Sequence, residues 1–250
     1  MAEAGFGAEA ATYERVRPGY PPDVVAWLAE HLRLGPGTTN LDLAAGTGKL
    51  TRELVTTGAT VLAAEPVEAM REVLHRELPQ TPIVAATAER LAFADDSLDA
   101  VTVAQAFHWF EIDTAAREIA RVLRPGGRLG LVWNARDRSV PWAGQVWSIM
   151  DRVEKRAPWS GHEEWRDVLA TGLDAFGPVR AATFHHAVLS SPSDVVDRVA
   201  SVSHVAVLPD GERANVLDEV RALLATHPDT IGRDLLETPY RVDAYWCERA

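Results

Sequence analysis

The sequence predicts an α/β fold, doubly wound around a mostly parallel sheet, and two features predict it. Short apolar strands alternate with amphipathic helical stretches from Asn40 to Asn134, and parallel strands joined this way need crossovers that bury both faces of the sheet. The run Leu41-Asp-Leu-Ala-Ala-Gly-Thr-Gly-Lys-Leu-Thr51 joins a buried strand to a helix through two closely spaced glycines. Gly46 and Gly48 remove the Cβ atoms that would keep a ligand from the main chain, and Asp42 places an acceptor near the strand's end.

The elements follow in order. Pro21-Pro22-Asp23 leads into Val24, Val25, Trp27, Leu28 and Leu32, apolar at helical spacing, and Gly35-Pro36-Gly37 ends that helix. A strand over Asn40 to Ala44 is followed by a helix from Lys49 to Thr57, closed by Gly58, and then by a strand from Thr60 to Ala64. A helix over Val67 to Leu78, strands at Ile83 to Ala86 and Leu98 to Gln105, and a helix at Thr114 to Leu123 continue the alternation. Arg124-Pro125-Gly126-Gly127 stops the helix and turns the chain into a fifth strand, Arg128 to Asn134. Beyond it the pattern changes to a tryptophan-containing helical segment through Ala170. A strand at Thr183 to Leu189, helical stretches over Ser193 to Ala206 and Glu212 to Thr226, and a last strand at Tyr240 to Cys247 complete the chain.

Composition narrows the function classes. A formal net charge of −11 with no sustained Lys/Arg run argues against a nucleic-acid partner. There is no apolar run of about 18 residues, so no membrane span or membrane partner is expected. Cys247 is the only cysteine, which excludes an internal disulfide and a multi-cysteine zinc site, and the first residues lack the order of a secretory signal. A cytoplasmic protein is the expectation.

The glycine loop departs from the dinucleotide fingerprint G-x-G-x-x-G, since Thr51 stands where the third glycine belongs and Ala44 and Ala45 precede Gly46. It resembles instead motif I of the class I S-adenosylmethionine-dependent methyltransferases, type 11-like. Other segments carry the same resemblance. Glu65 ends the second strand, Thr87-Ala88-Glu89-Arg90 follows the third, Gln105-Ala-Phe-His-Trp-Phe110 ends the fourth, and Leu123 to Asn134 matches the family's entry to the fifth strand. Tyr13-Glu-Arg-Val-Arg-Pro-Gly-Tyr-Pro-Pro22 resembles a subgroup related to trans-aconitate methyltransferases.

The resemblance implies a seven-stranded Rossmann-like sheet, mostly parallel with an antiparallel C-terminal strand and helical cap insertions. It implies one domain over 1–250, with an N-terminal cover and first helix over 1–37, a cofactor-binding core over 38–137, and cap insertions with the last two strands over 138–250. The implied cofactor is S-adenosylmethionine, leaving as S-adenosylhomocysteine. Asp42, Ala44, Gly46 and Gly48 would cradle it, Glu65 would accept from both ribose hydroxyls, and Pro66 and Val67 would flank the adenosine. Ala88 and Glu89 would lie near the adenine and Gln105 near the methyl group, with Tyr13, Arg17 and Tyr20 closing the site. Arg17 could instead pair with an acidic substrate, or be an exposed arginine that merely steadies the N-terminal segment.

His108 falls just past a central strand's carboxyl end, where open α/β sheets place ligands, and is the candidate catalytic residue, orienting an acceptor or taking its proton. Trp109, Trp133 and Asn134 are candidates for substrate contact. Each has a plainer reading: Glu89 as a helix cap, His108 as a structural histidine, Trp133 and Asn134 as core packing. Trp142, Trp147, Trp159 and Trp165 would form either an aromatic acceptor wall or a small second core. His185 and His186 alternate across a strand, so at most one faces a cavity, and no metal is expected.

The function expected is methyl transfer to a small-molecule acceptor, a carboxylate or a hydroxyl. The rivals are a cofactor-binding regulator or inactive scaffold, and an NAD(P)-dependent oxidoreductase, which the missing third glycine disfavours. The sequence leaves the acceptor and the oligomeric state open.

Overall fold

The computed structural model describes residues 14–154 and 175–250. Seven strands form one sheet in the order β3-β2-β1-β4-β5-β7-β6. They are β1 (Thr39–Leu43), β2 (Thr60–Ala64), β3 (Ile83–Val84), β4 (Leu98–Ala104), β5 (Leu123–Arg136), β6 (Arg180–Ser190) and β7 (Leu236–Glu248). The first five pair in parallel, and the C-terminal strands run antiparallel. The helices are α1 (Pro22–Leu32), α2 (Lys49–Val55), α3 (Glu68–Glu77), α4 (Ile112–Val122), α5 (Pro141–Glu154), α6 (Pro192–Ala200), α7 (Ser203–Ala206) and α8 (Asp210–Thr226).

The chain divides into two compact units. The first, whose described residues are 19–134, 175–184 and 242–250, holds β1 to β4, α1 to α4 and most of β5. The period-2 alternation of its strands separates two cores. Leu41, Leu43, Val101, Val103, Leu129 and Leu131 face α4, whose Ala115, Ala116, Ile119 and Val122 are buried against them. Ala100 and Val132 face the other way, towards Val24, Leu28 and Leu32 of α1 and Leu50 and Leu54 of α2. Each fully buried leucine contributes about 1.5–3 kcal/mol. Gly130 lets α1 approach, since a Cβ there would come 2.7 Å from Leu32 Cδ1.

Asn40, Asp42 and Thr102, all buried, share a polar seam in this unit. Asn40 Nδ2 donates to Thr102 Oγ1 at 3.1 Å, and Thr102 Oγ1 lies 3.2 Å from Asp42 Oδ1.

Several boundaries differ from the sequence expectation. The helix expected through Thr57 ends at Val55, because the hydroxyls of Thr56 and Thr57 donate back to the carbonyls of Glu53 and Leu54 at 2.6 and 2.7 Å. β4 stops at Ala104 because Gln105 turns into the left-handed region at φ 60°. The fifth strand begins at Leu123, before the Arg-Pro-Gly-Gly run: Leu123 pairs with Leu98 and Arg128 with Ala100, so that run bulges within the strand. The last strand starts at Leu236 rather than Tyr240. The stretch Ser193 to Ala206 is two helices, α6 and α7, separated by Ser201 and Val202.

In the second unit, described over 14–18, 135–154 and 185–241, the core is helical. Trp142, Val146, Trp147 and Met150 of α5 pack with Val195, Val196 and Val199 of α6 and Val220 and Leu224 of α8. Trp142 and Trp147 are therefore core residues; Trp159 and Trp165 lie outside the described residues. Ser191 and Asp194 form a reciprocal capping box at the start of α6. His185 Nδ1 sits 3.2 Å from Asp137 Oδ2, while the His186 ring lies against Tyr240. Among the described residues no group of three or more His, Cys, Asp or Glu side chains is arranged to hold a metal ion, and no helix is long and apolar enough to cross a membrane.

Candidate functional site

β1 and β4 are neighbours, yet the chain leaves β1 towards β2 and leaves β4 towards β5 on the opposite side. Ligands of open α/β sheets bind at such a switch point, outside the strands' carboxyl ends. Both ends here carry unusual backbone: Ala44 has φ 55°, Gly46 58°, Gly48 86° and Gln105 60°. A left-handed conformation costs a non-glycine residue about 1–2 kcal/mol, so Ala44 and Gln105 are held there by their surroundings. Ala45 N–H donates to the Ala64 carbonyl at 3.0 Å, and Gln105 N–H to that of Val132 at 2.9 Å.

Glu65 closes the loop from the next strand. Its carboxylate accepts from Gly46 N–H at 2.8 Å through Oε2 and from Val67 N–H at 2.9 Å through Oε1. Arg71 on α3 steadies the segment by donating to the Glu65 and Pro66 carbonyls. Beside it lies a cleft of about 550 Å³ lined by Pro66, Ala85, Ala86, Thr87, Arg90 and Leu91.

Asp42 lies beneath this loop with 1% of its surface exposed. Thr51 Oγ1 donates to its Oδ2 at 2.6 Å, and Thr102 bonds its Oδ1. Burial pushes its carboxyl up to about 7 and the nearby charge of Glu65 adds to the rise, although the hydroxyl bonds from Thr51 and Thr102 oppose it.

Past β4, Phe107 to Trp109 form a single 3₁₀ turn. Phe107 is fully buried, His108 half-buried, and Trp109 is 41% exposed. Trp133 Nε1–H points to His108 Nδ1 at a long 3.5 Å. Asn134 Nδ2 donates to the Gly19 carbonyl at 3.1 Å, and Gln105 Nε2 reaches the Asn134 carbonyl at 3.5 Å.

The first unit thus brings together Ala44, Gly46, Glu65 and Val67, and sets Pro66 on the adjoining cleft. Gly48 begins α2 in the left-handed region, and a Cβ on it would meet Leu74 Cγ at 2.9 Å. Ala88 is buried in the main core. Glu89 accepts from Glu111 N–H at 3.1 Å, just before α4. Tyr20 packs in the core beside α1. Arg17 belongs to the second unit, where Nη2 donates to the Ser201 carbonyl at 2.8 Å. Tyr13 lies outside the described residues.

Thr51, Thr102 and Arg71 escaped the sequence reading. Thr51 was visible as the residue in place of a third glycine, and its hydroxyl bond to Asp42 explains that replacement. Thr102 and Arg71 gave no motif-level signal.

A family model described as a methyltransferase domain matches residues 41–131. An uncharacterized methyltransferase from Mycobacterium tuberculosis is 41% identical over 235 residues, covering 94% of this chain and 91% of the relative. An uncharacterized methyltransferase-like protein from Schizosaccharomyces pombe is 31% identical, covering 98% and 95%. Among solved structures, a provisionally named type II methyltransferase from Anaeromyxobacter dehalogenans superposes with a TM-score of 0.66 at 25% identity, covering 93% of this chain and 96% of the other. The Haemonchus contortus phosphoethanolamine N-methyltransferase 2, in complex with S-adenosylhomocysteine, shares the fold at 13% identity with a TM-score of 0.59, covering 100% of this chain and 60% of the other.

Proposed function

The chain belongs to the class I methyltransferase family, and from that premise we propose that it transfers the methyl group of S-adenosylmethionine to a small-molecule acceptor. One observation carries the cofactor assignment: Glu65 and Gly46 meet at the switch point, a carboxylate against a left-handed glycine. A Cβ built on Gly46 would stand in open space, so the main chain is bare on the side where a ligand would lie. The Haemonchus protein's S-adenosylhomocysteine supports the same choice of cofactor on the same fold.

When bound, S-adenosylmethionine supplies an electrophilic methyl group on a sulfonium centre. Glu65 gives its carboxylate to the ribose hydroxyls, exchanging the Gly46 and Val67 N–H bonds it now holds. Pro66 and Val67 flank the adenosine, with Ala88 beneath the cleft that takes the base and Glu89 fixing its far wall through α4. Asp42 supports Ala44, Gly46 and Gly48 from below. Gln105 lines the approach to the methyl group, and Tyr20 backs the N-terminal side of the site.

His108 orients the acceptor, between Trp109 and Trp133, with Asn134 as a further polar contact. Indole N–H only donates, so a bond from Trp133 makes Nδ1 of a neutral His108 an acceptor and places the proton on Nε2. An imidazole presenting Nε2–H holds an acceptor oxygen rather than deprotonating it, which favours a carboxylate over a hydroxyl. Positioning of this kind can supply about 7–11 kcal/mol of rate enhancement.

Calorimetric titration with S-adenosylmethionine, with NAD as the control ligand, tests the reading. We expect saturable binding of the first alone, weakened about tenfold or more in Glu65→Ala. A folded protein that takes up no S-adenosylmethionine would overturn it.

A further inference from the structure

The joint between α6 and α7, in the second unit, gathers basic groups with unmet hydrogen-bonding capacity. Ser201 ties the joint: its hydroxyl donates to the Arg198 carbonyl at 2.8 Å and its own carbonyl accepts from Arg17. Arg198 stands in the last turn of α6. His204, on α7, is 95% buried, with 5% of its surface exposed. Arg198 Nε and Nη1 and His204 Nε2 are all shut off from water and meet no hydrogen-bond partner. Leaving such polar atoms unmet is costly, and more so when the group is charged.

The carboxylates of the surrounding elements are committed elsewhere. Asp194 and Asp197 of α6 both pair with Arg15. Asp151 and Glu154 of α5 pair with Arg136 at 3.1 and 2.9 Å, and Asp151 also takes Arg138. His204 feels the charges of Arg136, Arg17 and Arg198, which Glu154 opposes. The unmet Nε and Nη1 of Arg198 and Nε2 of His204, set among these positive charges, form an environment that favours a negative group.

We infer that the α6–α7 joint is a binding site for the anionic group of a small molecule, a carboxylate or a phosphate, held by Arg198 and His204 in the field of Arg17 and Arg136. Arg198 as a whole is half-buried, so a rotamer change of this one side chain admits the anion. Arg17 then serves an acidic ligand instead of the cofactor's carboxylate. Burial and the neighbouring guanidinium groups hold the His204 imidazole down at about 4, and a bound anion reverses that by favouring the imidazolium. The site rests on the second unit alone and stands whether or not the methyl-transfer reading does.

The test uses the full chain without cofactor, titrated calorimetrically near neutral pH with sodium succinate and, separately, sodium phosphate, against sodium chloride at matched ionic strength. Saturable binding of either is expected, weakened about tenfold or more in Arg198→Gln. It should be unchanged in Arg221→Gln, which removes an exposed guanidinium paired with Asp218 on α8. Succinate binding alone identifies a carboxylate site, and phosphate binding alone a phosphate site. A second readout is taken on the wild-type protein: the ring-proton resonance of His204, assigned by its loss in His204→Gln, should titrate at higher pH when the ligand is present. Absence of saturable binding by both anions overturns the inference, as does binding that leaves the His204 titration unmoved.

Discussion

Thr51 Oγ1 donates to Asp42 Oδ2 at 2.6 Å, joining the first turn of α2 to the strand that precedes the glycine loop. The bond spans the loop from beneath, so the residues that would touch the cofactor stand on a buried carboxylate rather than beside it. Removing the hydroxyl in Thr51→Val keeps the shape and leaves Asp42 with Thr102. We expect a loss of about 1–3 kcal/mol in urea unfolding, larger above neutral pH, where the carboxylate is ionised, than in mild acid. Thr51→Ser should recover most of it. Equal loss in the valine and serine variants would mean that packing, not the hydroxyl, is what Thr51 supplies.

The two loop glycines should respond differently to alanine. At Gly48 the φ of 86° and the 2.9 Å approach to Leu74 Cγ combine, so Gly48→Ala strains the backbone and displaces α3. About 1–3 kcal/mol of stability should disappear. Gly46, at φ 58°, meets no atom within 4 Å, and its alanine variant should lose only the backbone cost of about 1–2 kcal/mol while its methyl group obstructs the ligand side of the loop. Thermal unfolding and S-adenosylmethionine titration of both variants separate the effects. A Gly46→Ala protein with unimpaired cofactor binding would show that the main chain at this point is not the cradle.

The reading of the sequence succeeded where a local pattern records a tertiary fact and failed where two distant residues make one. The alternation of strands and helices gave the doubly wound sheet, because each strand buried on both faces has to be apolar along its length. Gly46, Gly48 and Glu65 were legible because a tight βα turn and an acidic strand end are written in consecutive residues. The polar seam of Asn40, Asp42 and Thr102 was not, since each residue looks like an isolated polar exception in an apolar strand until the register of β1 with β4 sets them side by side. The carboxylate of Glu89 bonds the main chain ahead of α4, a partner that periodicity alone could not supply. The basic cluster of the second unit likewise depends on α6, α7 and a residue near the N-terminus coming together, and no spacing in the chain announces it.

Trp133 acts as a positioning residue for His108 if its indole N–H fixes the neutral tautomer. Nitrogen-detected long-range NMR correlation of the His108 ring, at a pH where it is neutral, should report the proton on Nε2. Trp133→Phe retains an aromatic ring against Tyr245, which it meets edge to face, yet removes the donor, so the preference for that tautomer should relax. A proton found on Nδ1 in the wild-type protein would sink the donor role and return His108 to the position of candidate base.

Two buried groups should leave opposing marks on stability against pH. Asp42 is raised from 3.8 to about 7, chiefly by burial, so the native state holds a proton there that the unfolded chain has released. Its stabilising contribution is complete below pH 3.8 and is lost as pH climbs through 7. His204 is depressed from 6.5 to about 4, by burial first and Arg136 next, with Glu154 opposing and Arg17 and Arg198 reinforcing. Its contribution is present above 6.5 and is lost as pH falls towards 4. Each slope is on the order of 1.4 kcal/mol per pH unit, and between about pH 4 and 6.5 they run in opposite directions and nearly cancel. The lowered carboxyls of Glu118, Asp137 and Asp194 add a rise confined to more acidic pH that all variants share. Urea unfolding across this window should therefore show stability rising with pH in Asp42→Asn, where His204 acts alone, and falling with pH in His204→Gln, where Asp42 does. Parallel profiles for the two variants and the wild type would mean that neither group titrates as its surroundings dictate. A divergence in the stated directions would place an un-ionised carboxyl beneath the glycine loop at the acid end of the window and an ionised one above neutrality, so cofactor affinity should carry the same transition near pH 7 in the wild type and lose it in Asp42→Asn.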